Sequence, residues 1–118
     1  MGLPNAGKTT YSAQYDNVIH RDDFGGKNKY ERIIELVKKN SDVCVEGVYL
    51  FAARRKDLVA ASNTKNTCIW LDTSPDLCRQ REREGRNRWP GIINEAERLL
   101  EPPTYDEGWD EIIRIIIK

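Results

Sequence analysis

The chain has 118 residues, of which 19 are basic and 19 acidic, with one histidine and three cysteines. That length fits a single domain with a real core, and the zero net charge excludes a global electrostatic pull toward nucleic acid or membrane, leaving only local patches. No apolar run approaches a bilayer span, the longest lying around Ile115 to Ile117; three cysteines without C-x-x-C spacing point to reduced thiols in a cytoplasmic protein.

In chain order, the first informative stretch is GLPNAGKT at Gly2 to Thr9. It fits G-x-x-x-x-G-K-[ST], a loop whose backbone N–H groups turn inward around phosphate oxygens before a helix begins. Gly2, Asn5, Ala6, Gly7, Lys8, Thr9 and Thr10 are therefore expected around a bound ATP. Lys8 is expected on the β- and γ-phosphates, and the Thr9 hydroxyl on Mg²⁺. The alternative is a glycine-rich turn that matches by chance. The motif calls for a hydrophobic strand just before it, and only Met1 stands there.

A short helix over Thr9 to Gln14 should follow, then a brief strand at Val18-Ile19-His20. Arg21-Asp22-Asp23 comes at that strand's C-terminal end, where open α/β sheets place ligands. From Lys27 to Lys39, Tyr30, Ile33, Ile34 and Val37 recur at i, i+3, i+4 and i+7, which predicts an amphipathic helix. Asp42 to Val48 reads as a strand ending near Glu46, Phe51 to Ala61 as a helix, and Thr67 to Leu71 as a third strand. Ser74-Pro75 caps a helix running to about Glu84, dense in arginine. Helix resumes from Gly91 to Leu100, Pro102-Pro103 stops it, and Asp110 to Lys118 is a β-branched final strand. Strands alternating with helices predict one α/β domain over residues 1–118 with a mostly parallel sheet.

Phosphoryl transfer needs the phosphates held, a metal, an orienting acid for the nucleophile, and positive charge on the migrating group. Asp22 is placed to activate an acceptor hydroxyl, Glu46 to join the metal shell, and Arg81, Arg83 and Arg86 to close over the triphosphate from a lid at about 75–91. Plainer readings stand beside these. Asp22 and Asp23 also suit a turn cap, Glu46 an ordinary loop acid, and the arginines, alternating with Glu82 and Glu84, a solvated helix. His20 reads as a core or rim residue, and Trp70, Trp89 and Trp109 as packing residues, with only Trp89 worth testing for base stacking.

The runs GLPNAGKTTYSAQ, IHRDDF, VCVEGVYLFAARR, LDTSPDLCRQRER and EPPTYDEGWDEI, in that order, resemble the phage-type polynucleotide kinases and their small bacterial relatives. The RDD triplet and the PPT-x-x-EG-[FW]-DEI ending are the discriminating parts. The resemblance implies a P-loop NTPase-type three-layer fold. It implies ATP·Mg²⁺ on Lys8 and Thr9, Asp22 as the residue activating a hydroxyl acceptor such as a nucleic-acid 5′ end, and Arg81 as a lid arginine. Gly25 stands where that family commonly carries an arginine, and Glu46-Gly47-Val48-Tyr49 stands in place of its D-x-T-N. The first strand, central in such kinases, is missing from the sequence pattern. Either the true start lies upstream of Met1, or another chain or the C-terminal strand fills the gap; another copy of the chain there would make the protein a homodimer. A small-metabolite kinase and a non-catalytic nucleotide-binding remnant are the alternatives to a 5′-hydroxyl kinase.

Overall fold

A computed structural model of the chain describes residues 1–82, 84 and 91–118. The order is α1 (Lys8–Ser12), β1 (Val18–His20), α2 (Lys29–Lys39), β2 (Cys44–Glu46), α3 (Ala52–Ala61), β3 (Thr67–Thr73), α4 (Pro75–Arg81), α5 (Ile92–Leu99) and β4 (Glu111–Ile117). Single 3₁₀ turns sit at Arg21–Asp23 and Tyr105–Glu107.

Every strand pairing is parallel, as the alternation of strands and helices predicts, but the sheet is split. β1 pairs with β2 from Val18↔Cys44 to His20↔Glu46, and β3 pairs with β4 from Thr67↔Glu111 to Thr73↔Ile117. Between the two pairs lies the start of the chain. The Met1 amine donates to the Ile69 carbonyl at 2.8 Å, the Leu71 N–H donates to Met1 O at 3.0 Å, and the Gly2 N–H reaches Val48 O at 3.4 Å. Met1 and Gly2 thus lie between the two pairs, with a parallel bridge from Gly2 to Leu71.

The apolar pattern sorts into two clusters. Ile33 and Val37 of α2 bury against Ile19 of β1, with Val45 of β2 and Leu58 of α3 around them. Leu3 and Ala6 of the loop, Leu71 of β3, Cys78 of α4, and Ile93 and Ala96 of α5 form the other. Among the described residues no helix is long and apolar enough to cross a membrane, and all three cysteines are free.

Element identities follow the sequence; some ends differ. β2 is shorter than the expected 42–48, because Gly47 packs against the Arg21 and Tyr49 side chains and Tyr49 takes a left-handed φ of 40°, which turns the chain out of the sheet. β3 continues two residues past Leu71, since β4 pairs with it as far as Ile117. α4 starts as the cap predicts, with Ser74 Oγ accepting from the Leu77 N–H at 3.2 Å.

One interaction has no counterpart in the sequence pattern. Arg55 of α3 is 1 % exposed and forks onto Glu107, donating from Nε to Oε1 at 2.7 Å and from Nη2 to Oε2 at 2.9 Å. Its remaining donors go to the Tyr49 and Glu101 carbonyls. Glu107 also accepts from Trp109 Nε1 and from the Thr104 N–H. Burial raises the Glu107 pKa, but the hydrogen bonds from Arg55, Trp109 and Thr104 outweigh it and hold the carboxyl below its usual range. Removing one partner leaves a buried charge uncompensated, so Arg55→Ala should cost ~3–5 kcal/mol of stability in urea unfolding. Because the folded pKa of Glu107 is depressed, its contribution is present above the ordinary glutamate value of about 4.3 and should fall away as pH drops below it. Glu107→Gln should flatten that part of the acid-unfolding curve.

Candidate functional site

The loop is built by consuming its own acceptors. Leu3 O accepts from the Ala6 N–H at 3.1 Å and from Lys8 Nζ at 2.7 Å. Asn5 O takes Arg81 Nη1 at 2.6 Å, Ala6 O takes Thr73 Oγ1 at 2.7 Å, and Gly7 O takes the Tyr11 N–H at 2.9 Å. The backbone turns through left-handed φ values at Asn5 (65°) and Gly7 (101°). Among the described residues no acceptor takes the N–H of Asn5 or Gly7, and Asn5 Nδ2 is buried without a partner. A tight turn with its carbonyls spent and its donors open fits a polyanion such as a triphosphate.

Thr9 and Thr10 are exposed in the first turn of α1. Among the described residues no three His, Cys, Asp or Glu side chains gather as a metal cluster.

Lys8, Glu46 and Asp22 form one electrostatic group. Burial lowers the Lys8 pKa, and the charges of Glu46 and then Asp22 oppose that shift. Glu46 ends β2 beside His20 at the end of β1, because the register pairs those two residues. The His20 Nδ1 to Glu46 Oε2 distance is 2.7 Å. His20 therefore does more than line the rim, because it fixes the carboxylate expected in the metal shell. Asp22 follows on the 3₁₀ turn with its side chain 76 % exposed and 3.9 Å from Arg21 Nε, so it faces solvent.

On the other side, Arg81 at the end of α4 reaches the loop, donating from Nη1 to Asn5 O at 2.6 Å. Arg79, two positions earlier, binds Asp76, Asn94 and Glu97, so the plainer reading as a surface ion-pair helix holds for that residue. Arg83, Arg86 and Trp89 lie outside the described residues, as does most of the expected lid beyond α4.

Two neighbours of the site carry little signal in the sequence. Thr73, 1 % exposed, anchors Ala6 from the end of β3; its only mark is a polar residue at an inward strand position. Tyr49 is buried with its hydroxyl unpartnered, and burial pushes its pKa up to about 12. Nothing in the sequence marks it beyond its departure from the D-x-T-N pattern.

The fold that carries these residues recurs in a solved structure. A gluconokinase from Sinorhizobium meliloti 1021 superposes with a TM-score of 0.73 over 99 % of this chain and 79 % of its own, at 16 % identity. The chain shares the α/β fold of that protein, with parallel strands. At that identity the likeness establishes fold, and it does not reach the polynucleotide kinase group that the residue runs resemble. No protein-family model matches the chain, and no curated protein matches its sequence.

The loop's attachment is testable at Gly2. A Cβ there would lie 2.8 Å from the Leu71 carbonyl oxygen, a backbone atom that cannot swing aside. Gly2→Ala should therefore cost ~1–3 kcal/mol in thermal or urea unfolding and weaken ATP binding, because the loop hangs from that contact.

Proposed function

We propose that this protein is an ATP-dependent kinase that transfers the γ-phosphate to a hydroxyl of a small metabolite. The observation that carries the phosphotransferase reading is the loop with most of its carbonyls spent, flanked by Lys8 and Arg81, with the charges of Glu46 and Asp22 acting on Lys8. Two further points favour a small acceptor. The fold is similar to that of a gluconokinase. In addition, Gly25 offers no side chain where polynucleotide kinases commonly place an arginine, and the space beside it is open.

In this reading Lys8 leaves Leu3 O for the phosphates when ATP enters, and Arg81 places positive charge on the migrating group. Thr9 would hold Mg²⁺, with Glu46, steadied by His20, in its outer shell; the ion supplies charge neutralisation between the phosphates. Asp22 accepts the proton as the acceptor oxygen bonds to the γ-phosphorus, while the bond to the β,γ-bridging oxygen breaks and its electrons leave with ADP.

A second reading, transfer to a nucleic-acid 5′-hydroxyl, is favoured by RDD at the end of β1. The EGW run supports it less than the resemblance implies, because Glu107 and Trp109 are engaged in the buried arginine clamp.

Labelled ATP offered with polyols, sugars and sugar acids, and separately with 5′-hydroxyl oligonucleotides, separates the readings. Label in a small acceptor is expected; label only in oligonucleotides would overturn the proposal. Asp22→Ala should lower turnover by ~10²–10⁴-fold while leaving the stabilisation of the fold by ATP unchanged. Lys8→Ala should lose both.

A further inference from the structure

Beside Asp22 a group of donors stands without acceptors. Arg21, the residue before it on the 3₁₀ turn, packs against the bend that follows β2. A Cβ at Gly47 would lie 2.9 Å from Arg21 Cβ and 2.9 Å from Tyr49 Cε2, so the bare backbone there leaves room for both side chains. The Arg21 guanidinium carbon stands 6.0 Å from the centre of the Tyr49 ring. Tyr49 in turn lines a narrow cleft with Tyr30 and Arg54, and the Arg54 guanidinium carbon lies 3.7 Å from the centre of the Tyr30 ring.

Arg32, Arg55, Arg79, Arg81 and Arg114 each donate to a carbonyl or carboxylate oxygen. Arg54 makes no hydrogen bond or ion pair among the described residues. Arg21 Nε is buried without a partner, since Asp22 Oδ1 at 3.9 Å is beyond hydrogen-bond reach. The Tyr49 hydroxyl is buried and unpartnered as well. Leaving buried donors without an acceptor is costly. Among the described residues the neighbouring acids supply none: Glu46 is taken by His20, Asp22 faces solvent, and Asp57 lines the cleft without an ion pair to Arg54.

We infer, resting on the kinase reading, that Arg21, Tyr49 and Arg54 hold one end of the acceptor, and that this end carries an oxyanion, a carboxylate or a phosphate monoester. Guanidinium forks match the oxygens of either group. Stacking on Tyr30 holds Arg54 in place beforehand, so less side-chain freedom is lost when an anion binds. Burial pushes the Tyr49 pKa up, and the charges of Arg21 and Arg54 both oppose that shift, so the hydroxyl lies within electrostatic reach of both cations and keeps its proton to donate. Arg21 adjoins Asp22 in the chain, and its charge also acts on Lys8. An anion held at Arg21 therefore leaves the acceptor's other end, with the hydroxyl that reacts, free to turn toward Asp22 and the phosphate loop.

Three acceptors that differ only at one end provide the test: xylitol, its acid xylonate, and its terminal phosphate monoester. Offered with Mg²⁺·ATP, at least one of the two anions should show a KM ~10–100-fold below that of xylitol, and the one that does names the source of the oxyanion. Arg21→Gln and Arg54→Gln should each erase most of that advantage through KM rather than kcat. Arg54→Lys should keep part of it, because it retains the charge without the fork. Arg54 is exposed, so its variants should melt with the unaltered chain. Equal KM for charged and neutral acceptors, or an advantage that survives both glutamine variants, would overturn the inference and leave the kinase reading standing. If no acceptor is phosphorylated, the kinase reading falls and calorimetric titration with xylonate and with the phosphate monoester decides the anion site by itself. Saturable binding lost in Arg54→Gln then upholds the site, and no binding overturns it.

Discussion

Everything in the site depends on a junction two residues wide. The acids come from one strand pair, Glu46 at the end of β2 and Asp22 just after β1. The loop's anchors come from the other, Thr73 at the end of β3 and Arg81 at the end of α4. Among the described residues Met1 and Gly2 lie between the pairs, and a Cβ at Gly2 would come 2.8 Å from Leu71 O, so a larger residue there forces the backbone to shift. The relative placement of acid and phosphate loop therefore rests on a short ladder with glycine at its tightest point. A loop of this kind needs donors held still, because preorganised donors avoid reorganisation as charge migrates.

A second tie runs behind the site. Arg55 joins α3 to the segment around Glu101 and Glu107, and through the Tyr49 carbonyl it also grips the chain just after β2. The Arg55–Glu107 pair is buried and bidentate, the geometry in which a guanidinium and a carboxylate compensate each other's desolvation best. Its effect is to lock the C-terminal segment that leads into β4 against the half of the molecule bearing the acids. Residues that give the sequence its most distinctive ending thus serve architecture first.

Local patterns are legible in the sequence, and long-range partnerships are not. The periodicity of Ile33 and Val37, the Ser74-Pro75 cap and the β-branched run of β4 each report on the next few residues, and each element forms where the pattern places it. The phosphate loop is readable for the same reason, since its spacing is a local constraint. Arg55 looks like one more surface cation because its partner lies 52 positions away. His20 and Glu46 become a pair only through strand register. Thr73 becomes an anchor only when β3 comes to rest beside the loop. The division of the parallel strands into two pairs with a cavity between them likewise emerges only in three dimensions.

The proposed kinase reading rests on one claim, that the loop at Gly2 to Thr9 holds a nucleotide's phosphates. Calorimetric titration of the chain with Mg²⁺·ATP tests that claim most directly. Saturable binding of one nucleotide per chain, abolished by Lys8→Ala and retained by Asp22→Ala, is the predicted result. Absence of binding by the unaltered chain, or binding indifferent to Lys8, would contradict it.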